Sequence, residues 1–302
     1  MGSGYVRTMQ PVVHVAPESD PAVEDAVLAA GSRIGPLAEA SALVWLDSNP
    51  QSFPDSLPDG IRWVQLPSAG VEAWLDRIDG ERLWTSAAGA YGLPVAEHAL
   101  ALMLAGARRL ADCARATTWT APPARPLDGS TVAIVGAGGI GRALMRLLEP
   151  LDVRVVAVTR RGRGGTLPAD RMHEALPEAD HVVIAAPATP STRHVIGAAE
   201  LAAMREDAWL VNIARGSLVD TDALVDALAR GAIGGAALDV TDPEPLPDGH
   251  PLWSEPRALI TPHIANPEAT LRRYLARHVQ ENVARFANGE ALLSTIDPEA
   301  GY

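Results

Sequence analysis

Apolar residues in this chain gather into short runs separated by polar and turn-forming stretches, and the runs change character near position 93. Over the first ninety or so residues, "VVHVA" (12–16), "ALVWL" (42–46), "IRWVQLP" (61–67) and "RLWTS" (82–86) alternate with helical or loop segments, which predicts a small α/β unit. The next stretch, "LPVAEHALALMLAGARRLADCARA" (93–116), is apolar enough for one long buried helix with Pro94 near its first turn. Residues 117–130, "TTWTAPPARPLDGS", read as an arm or linker because proline and polar residues dominate them.

From Thr131 onward "TVAIVGAGGIG", "RVVAVT", "HVVIAAP", "AWLVNIA", "GAALDV" and "ALITPHI" alternate with helical stretches. Strands this apolar are expected where helices cover both faces, as in a doubly wound parallel sheet. After "ITPHIAN" the pattern predicts a closing helix from Pro267 with Asn266 as N-cap. Leu271, Tyr274, Leu275, Val279, Val283 and Phe286 then recur at helical spacing up to Gly289. The fold class is therefore α/β in two domains, residues 1–95 with 269–302 and residues 96–268.

Length agrees with that division, since 302 residues exceed one ordinary core. With 47% apolar and 21% charged residues, and no apolar run approaching the ~18 residues of a membrane span, a globular protein is expected and no membrane partner. The net charge of −12 repels nucleic acid and anionic membranes, so an anionic ligand must be held by a few local arginines. A single cysteine, Cys113, excludes an internal disulfide and a cysteine-cluster metal site, and no metal is expected. Redox chemistry then requires a cofactor. The opening "MGSGYVRTMQ" has one arginine and no continuous apolar core, unlike a secretory signal, and a cytoplasmic location is expected.

Gly136, Gly138 and Gly141 form G-x-G-x-x-G between an apolar strand and a helical run, the Rossmann-type context for a dinucleotide. Gly136 permits the tight turn, Gly138 lets a pyrophosphate approach the backbone, and Gly141 allows close helix-to-strand packing. The next strand should end in an acid for the ribose of NAD. It ends instead in Thr159, Arg160 and Arg161, and the arginine pair suits a 2′-phosphate unless it is merely solvated. NADP(H) is expected over NAD(H). The candidate cofactor-binding set is Gly136, Gly138, Gly139, Ile140, Gly141, Thr159, Arg160, Arg161, Pro187 and Asp239.

Three polar residues fall at predicted strand ends, where open α/β sheets bind ligands: Arg215 in "VNIARGSLVD", Glu244 in "LDVTDPEPLP" and His263 in "ITPHIAN". Arg215 can grip a carboxylate bidentately or make a surface salt bridge. Glu244 can be a partner for another group or a solvated acid. His263 can donate a proton or pack in the core.

From Leu93 onward the chain resembles the D-isomer-specific 2-hydroxyacid dehydrogenase family, and more closely its glyoxylate/hydroxypyruvate reductase branch. The resemblance rests on "VAEHALALMLA", "GAGGIGRAL", "APATPSTRHVIGAAELAAM", "LVNIARGSLVDTDALVDAL", "GAALDVTDPEPLPDGHPLW" and "ITPHIA". Before Leu93 it is limited mainly to "LPSAGVE" (66–72), with Glu72 where the family has Asp. The resemblance implies a smaller flavodoxin-like substrate domain beside the Rossmann-type domain. It also implies that Arg215 binds the substrate carboxylate, that His263 protonates the carbonyl as hydride arrives, and that Glu244 bonds the other ring nitrogen and favours its charged form. The amides of Gly70 and Val71 would complete the carboxylate clamp. A small 2-keto or 2-hydroxy acid is the implied substrate, and a homodimer through the nucleotide domain is implied, for which the 98–125 segment with Trp119 offers an arm. Trp45 either bounds the pocket or packs in the core. Among the other histidines, His98 is a candidate to line the cleft, while His14, His173, His181, His194, His250 and His278 read as structural. A non-catalytic dinucleotide sensor or corepressor on the same scaffold is the competing class, and a Rossmann-type methyltransferase a third.

Overall fold

The computed structural model describes residues 10–299 and 301; residues 1–9, read above for a secretory signal, lie outside the described residues. The chain divides into two compact units, one ending at Tyr91 and resuming at Glu268, the other Gly92–Pro267.

In the first unit β1 (Val12–Ala16), β2 (Arg33–Ile34), β3 (Ala42–Trp45), β4 (Trp63–Gln65) and β5 (Leu83–Thr85) form a parallel sheet of order β2-β1-β3-β4-β5. The two-residue β2 is too short to leave a pattern in the sequence. Helix α1 (Pro21–Ala29) begins where Asp20 accepts hydrogen bonds from the amides of Ala22 and Val23, with Pro21 in its first turn. Phe53 organises an aromatic core, its ring 5.0 Å from that of Trp45 and 5.6 Å from that of Trp74. Trp45 is thus a core residue, 4% exposed.

The closing helix, α8 in chain order, spans Glu268–Asn288 and packs along α1. It buries Leu275, Val279 and Val283 as the spacing predicts, but His278 and Asn282 lie on the same buried face. Both are satisfied: His278 Nε2 is 3.1 Å from the Ser86 carbonyl, and Asn282 Nδ2 donates to Gln65 Oε1 at 2.9 Å. The expected cap at Asn266 is absent. Its Oδ1 is buried and accepts no hydrogen bond, so it is shut away from the amides it was expected to serve.

The second unit holds seven parallel strands: β6 (Thr131–Val135), β7 (Arg154–Thr159), β8 (Leu167–Pro168), β9 (His181–Ile184), β10 (Trp209–Asn212), β11 (Gly235–Leu238) and β12 (Ala258–Ile260). Their order, β12-β11-β10-β9-β6-β7-β8, runs outward from β6 in both directions, and the reversal between β6 and β9 is the switch point where such sheets bind ligands. Helix α2 (Gly92–Ala107) fills the start of the stretch expected as one long helix, but that helix breaks. Arg109 adopts φ 53°, and the chain restarts as α3 (Leu110–Arg115). Arg109 Nε donates to Asp112 at 2.6 Å and its guanidinium lies 6.0 Å over the Trp209 ring, contacts that hold the left-handed residue in place. Residues 117–130 contain no helix or strand, and Trp119 is fully exposed. The remaining helices are α4 (Gly139–Leu148), α5 (Ala198–Ala203), α6 (Thr221–Arg230) and α7 (Pro251–Ser254). No helix among the described residues is long and apolar enough to cross a membrane.

Candidate active site

Because the seven strands are parallel, their carboxyl ends share one edge, and the loop after β6 opens α4 there. A β-carbon at Gly141 would stand 2.1 Å from the Gly136 carbonyl oxygen, and one at Gly136, whose φ is +108°, 2.6 Å from the Ala185 carbonyl. Backbone therefore packs on backbone at both positions, and only glycine fits. At Gly138 the same test meets nothing within 4 Å. The N-cap Gly138 supplies no side chain, so the first amides of α4, at Gly139, Ile140 and Gly141, face a position suited to a phosphate group. This cradle fits a dinucleotide.

At the end of β7, Thr159 Oγ1 is 2.6 Å from Thr166 Oγ1. Arg160 and Arg161 are exposed, and among the described residues neither guanidinium has a hydrogen bond or ion pair. Pro187, also exposed, follows β9 and its carbonyl accepts a hydrogen bond from Thr192 Oγ1 at 2.8 Å.

The three adjacent strands β10, β11 and β12 deliver Arg215, Asp239 with Glu244, and His263 in turn. Arg215 follows β10 in extended backbone. Asn212 fixes this turn, donating from Nδ2 to the Arg215 carbonyl at 2.9 Å and accepting from the Ala214 amide at 3.1 Å. Gly216 lets the turn pass the loop after β11, since a β-carbon there would lie 1.9 Å from the Thr241 carbonyl oxygen. From that loop Glu244 Oε1 reaches within 2.6 Å of His263 Nδ1. His263 is half exposed and adopts φ 53°.

Asp239 explains how the loop tolerates that conformation. Its backbone carbonyl accepts from the His263 amide at 2.8 Å, Oδ1 accepts from the Ile264 amide at 3.0 Å, and Oδ2 accepts from the Ala265 amide at 3.0 Å. Thr261 Oγ1 donates to Oδ1 at 2.6 Å, and His98 Nε2, from α2, lies 3.0 Å from Thr261 Oγ1 and 3.3 Å from Oδ1. Burial pushes the Asp239 carboxyl up, but the donors from His98, Thr261, Ile264 and Ala265 outweigh it and hold the group below the ordinary carboxylate range. Thr261 was not singled out in the sequence, and His98 was singled out without this partner. Gly70 and Val71 lie in the first unit, in a turn whose Val71 carbonyl accepts from the Trp74 amide at 2.8 Å.

The model of the D-isomer specific 2-hydroxyacid dehydrogenase NAD binding domain matches residues 100–265, more than half of the chain. The chain belongs to the D-isomer specific 2-hydroxyacid dehydrogenase family. It is an oxidoreductase, and the matched residues are the nicotinamide-dinucleotide-binding part of this dehydrogenase-family chain. A protein of Corynebacterium melassecola, described as an uncharacterized protein in the proB 3′ region, is 39% identical over 89% of this chain and 92% of its own length. The glyoxylate reductase of Thermofilum pendens is 34% identical over 68% of this chain, a match spanning 65% of that reductase, just under two thirds. The crystal structure of a D-isomer specific 2-hydroxyacid dehydrogenase from Xanthobacter autotrophicus Py2 in complex with NADPH and MES shares 28% identity. It superposes with a TM-score of 0.83 over 97% of this chain and 100% of the other.

Proposed function

We propose that this dehydrogenase reduces a small 2-keto acid of the glyoxylate or hydroxypyruvate type to the D-2-hydroxy acid, using NADPH in preference to NADH. The observation that carries the reading is the 2.6 Å pair of Glu244 and His263 on the strand edge that also bears Arg215 and the phosphate loop. When bound, the dinucleotide supplies the hydride. Arg215 holds the substrate carboxylate and polarises the adjacent carbonyl, with the amides of Gly70 and Val71 as further donors. With Nδ1 engaged by Glu244, the imidazolium gives up its Nε2 proton to the carbonyl oxygen. The neutral ring left behind keeps its Nδ1 proton on the carboxylate. Gly136 to Gly141 cradle the pyrophosphate, Thr159, Arg160 and Arg161 receive the adenosine ribose, and Pro187 and Asp239 complete the cofactor-binding set. A 2′-phosphate favours two arginines with no acid beside them, and the similar Xanthobacter enzyme is known in complex with NADPH.

The direct test follows nicotinamide oxidation with NADPH and NADH separately against glyoxylate, hydroxypyruvate, pyruvate, phenylpyruvate and 2-ketoisocaproate. NADPH-linked turnover of one of the small acids is the expected result. Silence with every pair while NADPH still binds overturns the reading and leaves a dinucleotide sensor. The reading includes a homodimer in the cytoplasm, paired through the 98–125 segment, where Leu110 and Trp119 are exposed. A monomer on gel filtration refutes the pairing.

A further inference from the structure

We propose that His98 and Thr261 are positioning residues that set the His263 loop through the Asp239 carboxylate. The inference rests on the proposed role of His263 and adds to it the means by which that side chain is held.

Three consecutive amides, at 263, 264 and 265, all end on Asp239, one on its backbone carbonyl and one on each carboxylate oxygen. Such a clamp keeps a non-glycine residue in left-handed backbone, which an unrestrained loop would abandon. The clamp in turn needs its carboxylate ionised and aligned, although the Asp239 side chain is only 1% exposed. Two amides alone leave a buried charge with little compensation. The hydroxyl of Thr261 spends its proton on Oδ1, so toward His98 it can only accept, which makes Nε2 of His98 the donor in that contact. His98 thus supports Oδ1 directly at 3.3 Å and indirectly through Thr261.

The helix that bears His98 also fixes the cofactor loop. Gly92, in the first turn of α2, lies so near that loop that a β-carbon there would be 2.9 Å from the Gly139 carbonyl oxygen. One helix, buried along Val95, Ala96, Ala99, Leu102 and Met103, therefore touches the phosphate cradle at its start and the proton-donor loop less than two turns later. Helix α2 fixes the spacing between the two loops, and His98 is its contact with the second.

The test uses the full-length protein with two readouts. Hydrogen exchange of the segment carrying the Ile264 and Ala265 amides should quicken about tenfold in His98→Ala, while the segment 136–142 is unchanged; His98→Gln, whose amide can still donate, should restore most of the protection. In kinetics, His98→Ala and Thr261→Val should each lower kcat about tenfold or more with the Kd for NADPH within about twofold. Thr261→Ser should be near normal, and the double variant should be little worse than the weaker single one because both act on one carboxylate. Unchanged exchange at 264 and 265 in His98→Ala, or strictly additive kcat losses, overturns the proposal. If the native chain reduces no keto acid, the functional reading fails, and the exchange readout still decides whether His98 holds the loop.

Discussion

Glu244 Oε1 lies 2.6 Å from Nδ1 of His263, while the two side chains keep 41% and 50% of their surface open. A pair this exposed adds little to stability, and the function proposed for it is to direct a proton. His263→Ala should cut turnover by about two orders of magnitude or more with NADPH affinity retained, and Glu244→Gln should fall between it and the native enzyme. Steady-state rates beside a fluorescence titration of the dinucleotide decide this. Near-native turnover in His263→Ala would return the histidine to a structural role.

Arg160 and Arg161 stand exposed after β7, where an acid would serve NAD. Replacing both by alanine should raise the KM for NADPH by about tenfold or more and leave that for NADH within about twofold, since each charge-assisted bond to a phosphate is worth about 1.5–3 kcal/mol. Equal changes for both cofactors would remove the arginines from the site.

The glycines of the phosphate loop divide by what surrounds them. Gly141→Ala drives a methyl to 2.1 Å from a carbonyl oxygen and should cost about 1–3 kcal/mol or more, read as a lower Tm. Gly138→Ala meets open space, so its Tm should hold while its affinity for NADPH falls. A Gly138→Ala protein that binds NADPH normally would show that no phosphate lies against that residue.

His181 is 3% exposed at the start of β9, and burial pushes its imidazole down to about 4, with Asp180 opposing weakly. Burial lowers His278 as well, and the Ser86 carbonyl and Glu281 oppose it. Between an unfolded value near 6.5 and the folded one, the unfolded chain takes up a proton that the native chain refuses. Stability should therefore fall as pH drops from about 6.5 toward 4, by up to about 1.4 kcal/mol per pH unit for each histidine while the window is open. Urea unfolding at several pH values would measure the slope, and His181→Leu should flatten it. An unaltered slope would place the effect elsewhere.

The sheet strands were legible in the sequence because apolar runs mark them directly; only Arg33–Ile34 and Leu167–Pro168 were too short to register. Arg215, Glu244 and His263 could be singled out because each follows such a run. The break at Arg109 escaped because a single left-handed residue leaves the apolar periodicity on either side intact. Asn266 had the composition of a cap, yet its oxygen is buried, and composition does not report where a side chain turns. The contact of His98 with Thr261 joins residues 163 positions apart, a separation over which no local pattern can speak.

Gln65 Oε1 accepts from Thr85 on the neighbouring strand and from Asn282 on α8, which returns to the first unit only after the whole of Gly92–Pro267. The second unit, continuous in sequence, is synthesised in full before α8. The first five strands do not, for α1 lacks the helix it packs against and Gln65 lacks one of its donors. The first unit can therefore be completed only after the whole of the second has been synthesised, and its parallel strands lack α8 in the interval.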